Sequence, residues 1–210
     1  MTEQKVFIIG LPRTATTSAC VATLSLGFKT AHTAYTQRAM DEAQIIADTP
    51  VFCDYQQLDK TYPDAKFVYL TRESDKWLPS IRQLLERMHN NLQRSDGGFN
   101  PVLKRCYNET FTPLTLDNIA KDSFLLECYR RHFQGALDYF KGREQDLLMI
   151  DVADAGSFQR LAHFLSITDI DPSQNFEHIN IGGKVTAWKK IKHPLKIEAT
   201  EKGKIDSVKR

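Results

Sequence analysis

Lys5-Val6-Phe7-Ile8-Ile9-Gly10-Leu11-Pro12-Arg13-Thr14-Ala15-Thr16-Thr17-Ser18 holds a strand, a loop and the start of a helix in one short stretch. Lys5 to Ile9 is an apolar run rich in β-branched and aromatic residues, halted by Gly10-Leu11-Pro12, so it reads as a buried strand feeding a tight loop. Thr16 to Leu26 carries Ala19, Val21, Ala22, Leu24 and Leu26 and stops at Gly27, a residue that takes the left-handed helix-ending conformation without a Cβ clash. A loop placed between a strand and a helix N-terminus turns its backbone N–H groups into a cradle for an anion.

The loop is not that of a nucleotide triphosphatase. That pattern, GxxxxGK[ST], needs a second glycine and a lysine, and this chain has Ala15 and Thr16 there, so the cation for the β- and γ-phosphates is missing. Arg13 supplies a cation earlier in the loop, where a planar fork of donors reaches a bridging oxygen and a transferring group. That arrangement suits a phosphosulfate.

Outward from this loop the pattern of strand, polar loop and helix repeats. A helical stretch over about 36–47 precedes Asp48-Thr49-Pro50, and Pro50 favours extended or turn geometry at Thr49. A short helix near 55–62 and the turn Tyr62-Pro63-Asp64-Ala65 lead to a second buried strand, Lys66 to Thr71, and an amphipathic helix over about 75–92. Ser95 to Asn108 contains Gly97-Gly98 and Pro101 without a period, which marks about 88–115 as a mobile insertion on the acceptor side. A long helix over 116–140, a third strand over 147–150 and a helix over 157–165 follow. The expectation is an α/β fold, a three-layer sandwich with a central parallel sheet of the P-loop nucleotide-binding type.

With 210 residues, 41% of them apolar and 26% charged, one domain spanning 1–210 is expected. A formal charge of +2 is too small for general attraction to nucleic acid or membrane, so an anion site must be local. The basic tail, about 189–210, reads as a solvated end. Cys20, Cys53, Cys106 and Cys128 form no CxxC pair and are expected as reduced packing residues. The N-terminal apolar run is too short for a signal peptide or a span, which gives the expectation of a cytoplasmic protein.

Pro12-Arg13-Thr14-Ala15-Thr16-Thr17 resembles the 5'-phosphosulfate loop of the P-loop sulfotransferases, written Pro-(Lys/Arg)-(Ser/Thr)-(Gly/Ala)-Thr-(Thr/Ser). The family's second signature, a strand ending in arginine with a serine eight positions on, is matched by Val68-Tyr69-Leu70-Thr71-Arg72 and Ser80. Tyr62 to Trp77 is similar to the branch that writes this segment "YPDAK…TRD…KW", and Asn175 to Lys184 is similar to the C-terminal segment that closes over the 3'-phosphate. The resemblance implies a sulfotransferase using 3'-phosphoadenosine 5'-phosphosulfate, with no metal and with a small-molecule or glycan acceptor. It assigns Pro12, Arg13, Thr14, Ala15, Thr16, Thr17 and Ser18 to the 5' end of the donor, and Arg72, Ser80, Gly183 and Lys184 to the 3'-phosphate. Tyr129 matches the adenine-stacking aromatic, although a core position suits a tyrosine equally.

The family also places a base some twenty-odd residues before the strand-end arginine, and Ala47-Asp48-Thr49-Pro50 resembles its "THLP" loop with a carboxylate for the histidine. His32, after the first helix, is the competing base, since an imidazole titrates near neutrality. Two other readings stay open: a small-molecule kinase on the same architecture, which needs the missing lysine, and a nucleotide-binding module without turnover.

Overall fold

A computed structural model describes residues 4–177 and 188–206. In chain order the elements are β1 (Val6–Ile8), α1 (Thr16–Ser25), β2 (Thr30–Ala31), α2 (Gln37–Glu42), β3 (Ile45–Ala47), α3 (Val51–Thr61), β4 (Lys66–Thr71), α4 (Ser74–Gln93), α5 (Pro101–Thr110), α6 (Leu116–Ile119), α7 (Asp122–Tyr139), β5 (Leu147–Asp151) and α8 (Ser157–Phe164). They group into two compact units: the chain up to Thr71 with the chain from Arg143 onward, and Arg72–Gly142.

The first unit is built on a five-stranded sheet in the order β2-β3-β1-β4-β5, with every pair parallel. Buried on both faces, such strands read as continuous apolar runs rather than alternating ones. Val6 and Ile8 of β1 face α1 and α8, in a core with Ala19, Cys20, Val68, Leu70, Phe158 and Leu161. Phe7 points the other way, its ring 5.6 Å from Tyr62 at the end of α3. Each fully buried Phe, Ile or Leu contributes about 1.5–3 kcal/mol, so this double covering of β1 is the main source of order in the unit. Arg143, where the chain returns to the sheet, forks onto Asp59 of α3 at 2.8 and 3.3 Å.

Helix α1 is buried nearly all round, by Thr16, Thr17, Ser18, Ala19, Cys20, Ala22, Thr23 and Leu24, and its small side chains allow close approach to the sheet. It ends as the sequence indicates: Gly27 has φ 92°, Gly27 N–H donates to Leu24 O and Phe28 N–H to Thr23 O, both at 3.0 Å, which satisfies the last carbonyls of the helix.

The second unit is helical. Trp77, Ile81, Leu85, Met88 and Leu92 form the buried stripe of α4, and α4 packs on α5, α6 and α7. Arg82 holds α4 to α6 and α7 by donating to Ile119 O at 3.1 Å and pairing with Asp122.

Four expectations are corrected. The helix over 36–47 stops at Glu42 and the chain turns into β3; three apolar residues next to a helical pattern show no strand period. The long helix over 116–140 divides because Thr115 caps α6, accepting from Asn118 N at 3.2 Å, and Lys121 is extended. The patternless stretch 95–108 contains the start of α5, where Asn100 accepts from Leu103 N at 2.9 Å and Pro101 takes the first helical position. Part of the basic tail is tied to the sheet rather than solvated: Thr30 N–H donates to Leu195 O at 3.0 Å and Ile197 N–H to Thr30 O at 2.9 Å, so residues 195–197 cover the otherwise exposed edge of β2. Tyr35 N–H donates to Ala199 O at 2.9 Å, and Asp206 N–H to Tyr35 O at 3.1 Å. No described helix is long and apolar enough to cross a membrane.

At Gly10, a Cβ would lie 2.6 Å from Leu70 O and 2.7 Å from Leu70 Cβ. Gly10→Ala is expected to lower unfolding free energy by about 2 kcal/mol or more, measured by urea denaturation; a change under about 0.5 kcal/mol would show that β1 and β4 do not need this close approach.

Candidate active site

The strand order decides where a ligand can sit. From β1 the chain leaves into α1 on one face of the sheet, and from the adjacent β3 it leaves into α3, which packs on the other. Between two such exits a crevice opens at the carboxyl ends of the strands. The loop from Gly10 to Ala15 and the segment Asp48-Thr49-Pro50 are its two lips.

The loop has the geometry of an anion cradle. Arg13 and Ala15 both have positive φ, 74° and 70°, conformations costing an L-residue about 1–2 kcal/mol each, and such alternation turns successive N–H groups inward. Thr14 fixes the turn by donating its hydroxyl to Leu11 O at 2.7 Å. Ala15 starts α1 with no side-chain cap hydrogen bond, and the positive end of the helix faces the loop.

Both sequence-derived base candidates converge on this cradle. His32, just past β2, has Nε2 at 3.2 Å from Thr16 Oγ1 and 3.0 Å from Thr17 Oγ1. Asp48, just past β3 and itself at φ 56°, accepts at Oδ1 from Thr49 N–H at 2.8 Å and Thr49 Oγ1 at 3.0 Å. Its Oδ2 takes a long contact of 3.5 Å from Thr16 Oγ1. The Thr16 hydroxyl, at the start of α1, thus links the two candidates.

Burial pushes the His32 imidazole below its ordinary value, with the Asp48 carboxylate opposing that shift. The ring is therefore neutral near neutral pH, and its Nε2 donates to or accepts from the threonine hydroxyls according to which ring nitrogen carries the proton. Burial, and after it Asp48, push the Cys20 thiol well up; Cys20 is a packing residue and no nucleophile.

Arg72, Ser80 and Tyr129 belong to the second unit. Arg72 directly follows β4, and its N–H donates to Tyr129 Oη at 3.1 Å; Ser80 lies in α4. Tyr129 is edge-on to Trp77 at 4.8 Å and stacked on Phe133 at 6.5 Å, so it holds the backbone of Arg72 from within its own unit. Gly183 and Lys184 lie outside the described residues. Among the described residues no group of three or more His, Cys, Asp or Glu could hold a metal ion.

Sequence reasoning missed Trp188, whose ring stacks on His32 with centroids 5.7 Å apart and planes 29° apart. A tryptophan in a lysine-rich stretch carries no local signal of this; only the pairing of residues 195–197 with β2 brings it here.

Comparison with known proteins gives a match to the family described as a sulfotransferase domain over residues 33–185. No curated protein matches the chain. The matched span includes Asp48, Arg72, Ser80 and Tyr129 but begins after the loop that follows β1 and after His32, so the reading of that loop stands on its own residues and geometry.

A neutral His32 has a consequence for acid stability. Its folded value lies below the unfolded value of about 6.5, so its contribution is fully present above that pH and is lost as pH falls through the folded value. Urea unfolding of His32→Gln is expected to lose less stability than the wild type between about pH 7 and pH 5; parallel curves would show that the ring is not held neutral.

Proposed function

Because the chain belongs to the sulfotransferase-domain family, we propose that it moves a sulfuryl group from 3'-phosphoadenosine 5'-phosphosulfate to a hydroxyl or amine of a small-molecule or glycan acceptor. The observation that carries this reading is the left-handed loop at the start of α1, with Thr16 linked to both His32 and Asp48 and Thr17 to His32. Such a loop fits an anion held by backbone N–H groups, and the lack of a loop lysine argues against a triphosphate.

When bound, the donor supplies an activated sulfuryl group on a phosphate leaving group. Pro12 to Ser18 hold its 5' end through backbone N–H groups and the hydroxyls of Thr16 and Thr17. Arg13 stabilises the negative charge that builds on the bridging oxygen. Arg72 and Ser80, with Gly183 and Lys184, take the 3'-phosphate, as the family pattern supports. Asp48 takes the proton of the acceptor, for which Oδ2 is suited because Oδ1 is committed to Thr49. His32 orients the two threonine hydroxyls and stands second as base.

Thermal shift separates this reading from its rivals. Adenosine 3',5'-bisphosphate at about 100 times its dissociation constant is expected to stabilise the fold by about 2.7 kcal/mol, and magnesium ATP to leave it unchanged. A response to magnesium ATP alone would replace the reading with a kinase, and binding of the bisphosphate without transfer across an acceptor panel would replace it with a binding module. Arg13→Ala is expected to lower kcat about 10²–10³-fold, and Asp48→Asn to lower kcat with little change in KM for the donor; wild-type turnover in either would remove that residue from its role.

A further inference from the structure

The second unit holds a tyrosine whose hydroxyl is committed to the main chain. Between β4, which ends at Thr71, and α4, which starts at Ser74, the chain has only Arg72 and Glu73. Glu73 opens the helix without a side-chain cap hydrogen bond, its carbonyl accepting from Lys76 N–H at 3.1 Å and Trp77 N–H at 2.9 Å. Arg72 N–H is the first backbone donor past the strand, and it donates to Tyr129 Oη of α7 at 3.1 Å.

Tyr129 grips the same stretch at a second point. Its ring meets Trp77 edge to face, with centroids 4.8 Å apart and planes at 69°, and Trp77 is fully buried. Phe133, one turn further along α7, stacks on the tyrosine ring at 6.5 Å. Trp77 precedes Ser80 by three residues of α4, about one turn of helix. Fixed at Arg72 by its oxygen and at Trp77 by its ring, the tyrosine sets how α4 leaves β4, and with it the placement of Arg72 relative to Ser80. A guanidinium and a hydroxyl eight residues apart meet one phosphate only if that turn is held, since a shift of about 1 Å takes a hydrogen bond out of range.

We infer that Tyr129 is a positioning residue for the 3'-phosphate of the donor, acting through Arg72, whose backbone it holds, rather than by stacking on the adenine. This rests on the sulfotransfer reading, in which Arg72 and Ser80 take that phosphate. Tyr129 then governs how much affinity the 3'-phosphate contributes and leaves the contribution of the base unchanged.

The test uses the full chain and two probes that differ by the 3'-phosphate alone, adenosine 3',5'-bisphosphate and adenosine 5'-phosphate. Tyr129→Phe keeps a ring against Trp77 and removes only the hydroxyl. It is expected to weaken binding of the bisphosphate about five- to tenfold and of the monophosphate less than about twofold. In an Arg72→Ala background the same change is expected to weaken the bisphosphate less than about twofold, because its effect runs through Arg72. Adenine stacking predicts another pattern, with Tyr129→Phe harmless and Tyr129→Leu weakening both probes equally, and that result would overturn the inference. In the wild type, which serves if Tyr129→Phe fails to fold, the bisphosphate at saturation is expected to slow hydrogen exchange at Arg72 N–H more than the monophosphate does, since phosphate and tyrosine hold the same turn. Equal slowing would also overturn it. A wild type that prefers the bisphosphate, with the preference intact in Tyr129→Phe, would remove the role of Tyr129 alone. A wild type that binds both probes equally, or neither, would remove the assignment of Arg72 and Ser80 and the inference with it.

Discussion

The position of β1 between β3 and β4 is the constraint on which the rest depends. Pairing on both sides fixes the height of Gly10 against Leu70, where there is no room for a side chain. From that fixed point the chain must turn within a few residues into α1, and it does so through left-handed residues at Arg13 and Ala15. Strain of this kind persists only where the surroundings over-determine it, and here the buried faces of β1 and α1 supply the excess. The cradle is thus a by-product of tight packing, with its cost met by the core beneath it.

The second lip of the crevice obeys the same logic. Asp48 leaves β3 in a left-handed conformation, and its carboxylate is turned partly inward on Thr49 and partly across to Thr16. His32, leaving β2, meets the same threonine from the far side. Two strands, β2 and β3, are each followed by a residue that reaches Thr16, which opens the helix that follows β1. Parallel alignment makes this possible, since it brings all three carboxyl ends to one edge.

What could be read from the chain follows from how local each signal is. The loop after β1 was legible because its strand, glycine, proline and hydroxyl run are contiguous, and Gly27 because a helix stop is a one-residue event. Strands β2 and β3 were not, since two or three apolar residues carry no period and acquire strand geometry only by pairing with β1 and with each other. Asn100 and Pro101, the cap and first residue of α5, lie inside the stretch read as patternless because no apolar period follows them. At the site, Asp48 and His32 could be named from spacing and chemistry, whereas Trp188 reaches the crevice through backbone bonds between residues more than 160 positions apart, Thr30 with Leu195 and Ile197. No window of sequence contains that relation.

The covering of β2 by residues 195–197 also sets an order of assembly. The cradle and both candidate bases are encoded in the opening quarter of the chain, yet the edge that steadies His32 is supplied near its far end, after the whole of the Arg72–Gly142 unit has been synthesised. Long-range closure of this sort is slow and is deferred until the last partner emerges. A nascent chain therefore carries the loop after β1 long before the edge of β2 that steadies His32 is covered.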